Sequence, residues 1–121
     1  MDTRVKKRRF LIVTKNVVVA EDLKDILKEI PECRIDTCLS LGDGWDDDYG
    51  LAFFDVPVET LMKDRRVRKM HRSGANVVVM DGGLSDSSAD CGRLSVLAQP
   101  FRSTDVVSLL HRLGFATESR P

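Results

Sequence analysis

The sequence predicts an α/β domain in which a five-stranded parallel sheet is covered by helices on both faces. Short apolar runs at residues 10–13, 49–54, 76–80 and 94–98 read as buried strands, and a weaker alternation at 33–41 supplies one more. Helical or turn-rich stretches separate them throughout, the alternation that builds parallel sheets.

Phe10-Leu11-Ile12-Val13 is β-branched and apolar and gives the first strand, ending at Thr14-Lys15-Asn16. Val19, Leu23, Ile26, Leu27 and Ile30 then repeat at helical spacing, with charged residues opposite and Pro31 as the stop. Ile35, Thr37 and Leu39 mark the second strand. The segment 42–48, rich in Gly and Asp, is turn chemistry and too short for a full crossover helix.

The third strand runs into Asp55 and Pro57, which places one carboxylate at the sheet edge where α/β proteins carry their sites. In residues 58–72 two apolar groups fall on different faces at 100° per residue, so the helix is expected to break near Asp64 to Arg66. Its basic side reads as a solvated face. Val77-Val78-Val79-Met80 forms a buried fourth strand ending at Asp81, and the Gly- and Ser-rich stretch after it has room for a short helix at most. After the fifth strand and Gln99-Pro100-Phe101, Ser103 is expected to cap a final helix carrying Val106, Leu109, Leu110 and Leu113 inward and closed by Gly114.

The 121 residues fit one domain, with residues 1–8 a basic arm and 115–121 a tail or the start of a linker. Formal net charge is zero, so no global field favours nucleic acid or membrane. The arm lacks the interleaved aromatics of a single-strand binder. No apolar stretch reaches membrane-spanning length and no signal peptide is visible, so a cytoplasmic protein is expected. Cys33, Cys38 and Cys91 form no CxxC and have no histidine nearby, and they read as reduced structural thiols, the first two on opposite faces. His71 and His111 lie on helical segments and read as exposed.

An aspartate ending the third strand, a small-residue step after the fourth and a residue-Pro-Phe triplet after the fifth resemble the receiver domain of bacterial response regulators, from Phe10 to Leu113. The resemblance implies a flavodoxin-like sheet of order 2-1-3-4-5, here with the helices after the second and fourth strands short or missing. It also implies a phosphoacceptor at Asp55 within two-component signalling or a phosphorelay. In the family an acidic pair ending the first strand helps to hold Mg²⁺. Here Thr14-Lys15 stand there, Asp81 replaces a hydroxyl residue, Gln99 replaces a lysine and Val96 replaces an aromatic, while Pro100 and Phe101 remain. The family's cis peptide is expected at Gln99-Pro100.

Thr14, Lys15, Asp55, Asp81, Gln99 and Pro100 are therefore expected to form a degenerate phosphoacceptor pocket without metal or cofactor. A lysine does not hold a divalent ion, and Asp81 beside a phosphorylated Asp55 costs on the order of 4 kcal/mol at 4 Å and an effective dielectric near 20. Either Lys15 bridges Asp55 and Asp81, or the side chains have drifted apart. The expectation is a pseudo-receiver that is not an enzyme and acts by contact with a signalling protein, a kinase or an output domain. The candidate contact residues are Arg102, Ser103, Asp105, Val106 and Leu109, with the segment 82–90. A homodimer is a further expectation, and nucleic acid is not an expected partner of this domain. A working receiver phosphorylated on Asp55 is the alternative; a small hydrolase or phosphotransferase lacks the carboxylates and the phosphate loop it would need.

Overall fold

The computed structural model describes residues 8–42, 44–45, 49–80, 94–97 and 101–115. Strands β1 (Arg9–Val13), β2 (Arg34–Cys38), β3 (Leu51–Phe54), β4 (Asn76–Val79) and β5 (Leu94–Val96) form a single sheet of order β2-β1-β3-β4-β5. Every pairing is parallel, and the flavodoxin-like architecture expected from the sequence is the one observed. Helices α1 (Val17–Leu27), α2 (Val58–Leu61), α3 (Arg65–Arg72) and α4 (Ser103–Arg112) cover it. Among the described residues no helix joins β2 to β3, and the stretch after β4 lies outside them.

Strand alternation sorts the core into two layers. Phe10, Ile12, Leu51, Phe53 and Val78 pack with Leu23, Leu27, Val106, Leu109 and Leu110 of α1 and α4. Their neighbours Leu11, Val13, Ala52, Phe54, Val77 and Val79 face the other way, against Leu61, Val67 and Met70 of α2 and α3. Cys33 packs on the first layer and Cys38 on the second, and both are reduced cysteines outside any disulfide, as expected; Cys91 lies outside the described residues.

The expected break between residues 58 and 72 is sharp. Asp64 caps α3, its Oδ1 accepting from the backbone N–H groups of Arg66 and Val67 at 2.9 and 3.3 Å. The restart rotates Val67 and Met70 inward and leaves Arg65, Arg68, Lys69 and Arg72 exposed along one face. These four cations form like-charge pairs at i,i+3 and i,i+4, each costing roughly 0.2–0.5 kcal/mol. Both α3 and α4 end in a left-handed glycine, Gly74 (φ 103°) and Gly114 (φ 94°). After each, the chain bonds back, Ala75 to Met70 and Phe115 to Leu110.

Helix α4 starts one residue earlier than expected. Arg102 occupies the cap position and Ser103 is the first helical residue, because the Asp105 carboxylate reaches back to accept the Arg102 N–H at 2.8 Å. Two other arginines secure the strand ends. Arg8, the last residue of the basic arm, donates to the Pro31 carbonyl at 2.7 Å, and Arg9 lies 4.4 Å over the Tyr49 ring and 3.5 Å from Asp36.

Arg66 turns inward from α3 and holds the β2–β3 connection. Its guanidinium stacks 3.9 Å over Trp45 and donates to the carbonyls of Leu41 and Trp45. Trp45, buried against Phe54, is the chain's only tryptophan and reports directly on this clamp. Arg66→Ala should cost about 2–3 kcal/mol in urea unfolding and red-shift the native Trp45 emission as the loop loosens.

Burial pushes the Cys33 thiol above its usual range, against smaller opposing effects of its own backbone hydrogen bond and Arg8. Because the folded state holds this proton more tightly, the stabilisation is complete below the unfolded thiol's range and is lost as pH rises through the folded one. Alkylation of Cys33 at pH about 8, followed by peptide mapping, should run several-fold slower in native protein than in urea.

Candidate functional site

The parallel register Val13↔Phe54 sets the next residues, Thr14 and Asp55, side by side where β1 and β3 end. Both follow residues of the α2–α3 layer, so their side chains turn to the α1 side. The backbone continues the ladder one step, Asp55 N–H donating to the Val13 carbonyl at 2.9 Å and Thr14 N–H to that of Cys38 at 3.0 Å. This is the point where the strand order reverses, the usual location of sites on such sheets.

Thr14 is buried, at 4% exposure, whereas Asp55 is exposed. The Thr14 hydroxyl donates to Asp55 Oδ2 at 3.0 Å and accepts from the Asn16 N–H at 3.1 Å. Asn16 in turn caps α1, its Oδ1 accepting from the N–H groups of Val18 and Val19 at 3.0 and 3.3 Å. A continuous chain of hydrogen bonds therefore runs from the first turn of α1 to the Asp55 carboxylate, with the hydroxyl using its donor and an acceptor site.

Lys15 is exposed, and among the described residues it joins no ion pair. The Asp55 half of the expected Lys15 bridge is thus replaced by the neutral hydroxyl of Thr14. A residue that follows two buried neighbours on an edge-facing turn has its long side chain free to reach water, and solvation of an ammonium outweighs an exposed ion pair. Asp81, Gln99 and Pro100, and with them the cis peptide, lie outside the described residues.

The described groups fit a divalent cation poorly. Asp55 is the carboxylate on this edge, the Thr14 hydroxyl is committed to it, and Lys15 brings a positive charge to the adjoining position. Mg²⁺ is held by carboxylates and water in a near-octahedral set.

Of the expected contact residues, Arg102, Ser103 and Asp105 are exposed, but Val106 and Leu109 are 0% and 1% exposed. Those two are core residues packed toward α1 and are not available to a partner. His111 is exposed as expected; His71 is only partly so, and its Nε2 is buried without a hydrogen-bond partner.

Sequence reasoning missed a cleft of about 220 Å³ beside Thr14, lined also by Val17, Ala20, Glu21, Thr37, Cys38 and Leu39. Val17 and Leu39 of this lining are 65% and 62% exposed, and Val18, next to Val17 in the chain, is 67% exposed. The signal was present in Val17-Val18-Val19, because three successive residues at 100° spacing cannot all turn to one core. Comparison with protein-family models, with curated proteins and with solved structures finds no match to this chain.

The two candidate neighbours of Asp55 predict opposite mutational results. Thr14→Val removes a buried hydroxyl from between two partners and should cost about 1–3 kcal/mol in chemical denaturation. Lys15→Ala should stay within about 0.5 kcal/mol of the parent. A large loss for Lys15→Ala would restore the ion-pair bridge.

Proposed function

We propose that this chain is a pseudo-receiver: a signalling module that acts through protein contact and not through Mg²⁺-dependent phosphorylation of Asp55. One observation carries this reading, the Thr14 hydroxyl bonded to Asp55 at 3.0 Å in the position where the receiver family places an acid. A hydroxyl and an exposed ammonium beside a single described carboxylate give a phosphoryl group no metal to neutralise it.

The same edge exposes Val17, Val18 and Leu39, apolar area of the kind that protein interfaces bury. The exposed start of α4, at Arg102, Ser103 and Asp105, offers a second, polar contact. In this reading the chain needs no cofactor and catalyses no reaction, and its partner is another signalling protein or an output domain.

Titration with beryllofluoride and Mg²⁺, followed by amide chemical shifts, tests the proposal. The expected result is no saturable change at Thr14, Asp55 or Met80. Saturable shifts centred on Asp55, accompanied by a stable covalent phosphoryl adduct in intact-mass measurement with a small acyl phosphate donor, would establish the working receiver instead.

A further inference from the structure

The exposed face of α3 is unlike every other charged surface among the described residues. Within Arg65–Arg72 the sequence is RRVRKMHR, with five Lys or Arg and no acid. Helix α1 and its C-cap alternate their charges, with Lys24 3.9 Å from Glu21 and Lys28 3.5 Å from Asp25, whereas at α3 the acid is the cap residue Asp64, 3.7 Å from Arg66.

The fold's own needs do not account for this face. Arg66 serves the Trp45 clamp, and Lys69 and Arg72 suit the negative end of the helix dipole. Arg65 does not, since it stands at the first helical position, where the dipole opposes a cation. Arg65, Arg68, Lys69 and Arg72 follow one another at i, i+3, i+4 and i+7, one ridge about 10 Å long. Among the described residues the Arg68 guanidinium donates to one acceptor, the Met62 carbonyl at 2.9 Å, and a guanidinium has five N–H donors to offer.

We propose that this ridge binds the phosphate backbone of duplex nucleic acid without reading its sequence. The phosphates of one strand advance about 3.4 Å along the duplex axis, so the ridge spans about three of them. Arginine forks match phosphate oxygens, and three of the four ridge cations are arginine. A protein partner fits less well, because protein interfaces centre on apolar and aromatic anchors and the ridge has neither. Single strands are disfavoured by the same lack of a stacking ring. The net charge of zero, which argues against nucleic acid for the chain as a whole, does not govern a contact confined to this ridge within a Debye length.

The test is fluorescence anisotropy of a labelled, mixed-sequence DNA duplex of about 20 base pairs with the full chain. Binding is expected at about 50 mM salt, weakening roughly 40-fold by about 200 mM, the dependence that three phosphate contacts give. The combined variant Arg65→Gln, Arg68→Gln, Lys69→Gln and Arg72→Gln should lose that binding while its thermal midpoint holds or rises, since it also removes the repulsion. The control Lys24→Gln with Lys28→Gln should bind as the parent does. The proposal is overturned if the parent fails to bind at low salt or if the four-site variant binds unchanged. It is equally overturned if phosphatidylserine vesicles or polyglutamate bind the ridge more tightly than the duplex.

Discussion

Burial of residues 10–13, the apolar run of β1, is the constraint on which the rest of the molecule depends. Phe10, Leu11 and Ile12 are 0% exposed and Val13 is 1% exposed, two side chains to each layer. A strand with no solvent-facing side must be paired along both edges and covered on both faces, so β2, β3 and the helices of both layers are required by it. Such a strand can show a side chain to a ligand or a partner only where it ends. Thr14 and Asp55 stand at that exit because β1 and β3 end at the same register.

Four of the strands were legible because buried parallel strands leave a trace of four or five successive apolar residues bounded by turn formers, whereas the strand order was an expectation drawn from the resemblance to receiver domains. The break before α3 was legible for a geometric reason: two apolar groups could not share one helical face. Helix ends were less so. Asn16 and Arg102 took the cap positions, while Ser103 lost its expected place to a carboxylate reaching back from Asp105. Cap choice depends on competing side-chain bonds that periodicity does not encode.

The site was legible by position but not by contact. The resemblance grouped Thr14, Lys15 and Asp55 in one pocket, and the residue types left open whether Lys15 bridges the carboxylates or stands apart from them. The direction of the side chains decided in favour of Thr14. Thr14 continues the inward alternation of β1 and is held, whereas Lys15 follows the strand's end and meets water. Likewise Val106 and Leu109 combined two roles in the sequence, stripe and contact surface, that one side chain cannot fill when α4 packs against α1.

Switching energetics make the identity of that neighbour matter. A conformational equilibrium moves only as far as a ligand's affinities for the two states differ, and inverting a 1:99 population takes about 5.5 kcal/mol. An acyl phosphate with its divalent ion brings new charge and several new bonds to one state alone, which is enough. A hydroxyl already bonded to a carboxylate contributes about 1–3 kcal/mol and is present without any signal. On the proposed reading, then, the Thr14–Asp55 bond ties the start of α1 to the sheet as a fixed strut, and any bias between states has to come from the contact free energy of the partner itself. A module built this way reports binding, where a phosphorylated receiver reports a chemical event that preceded it.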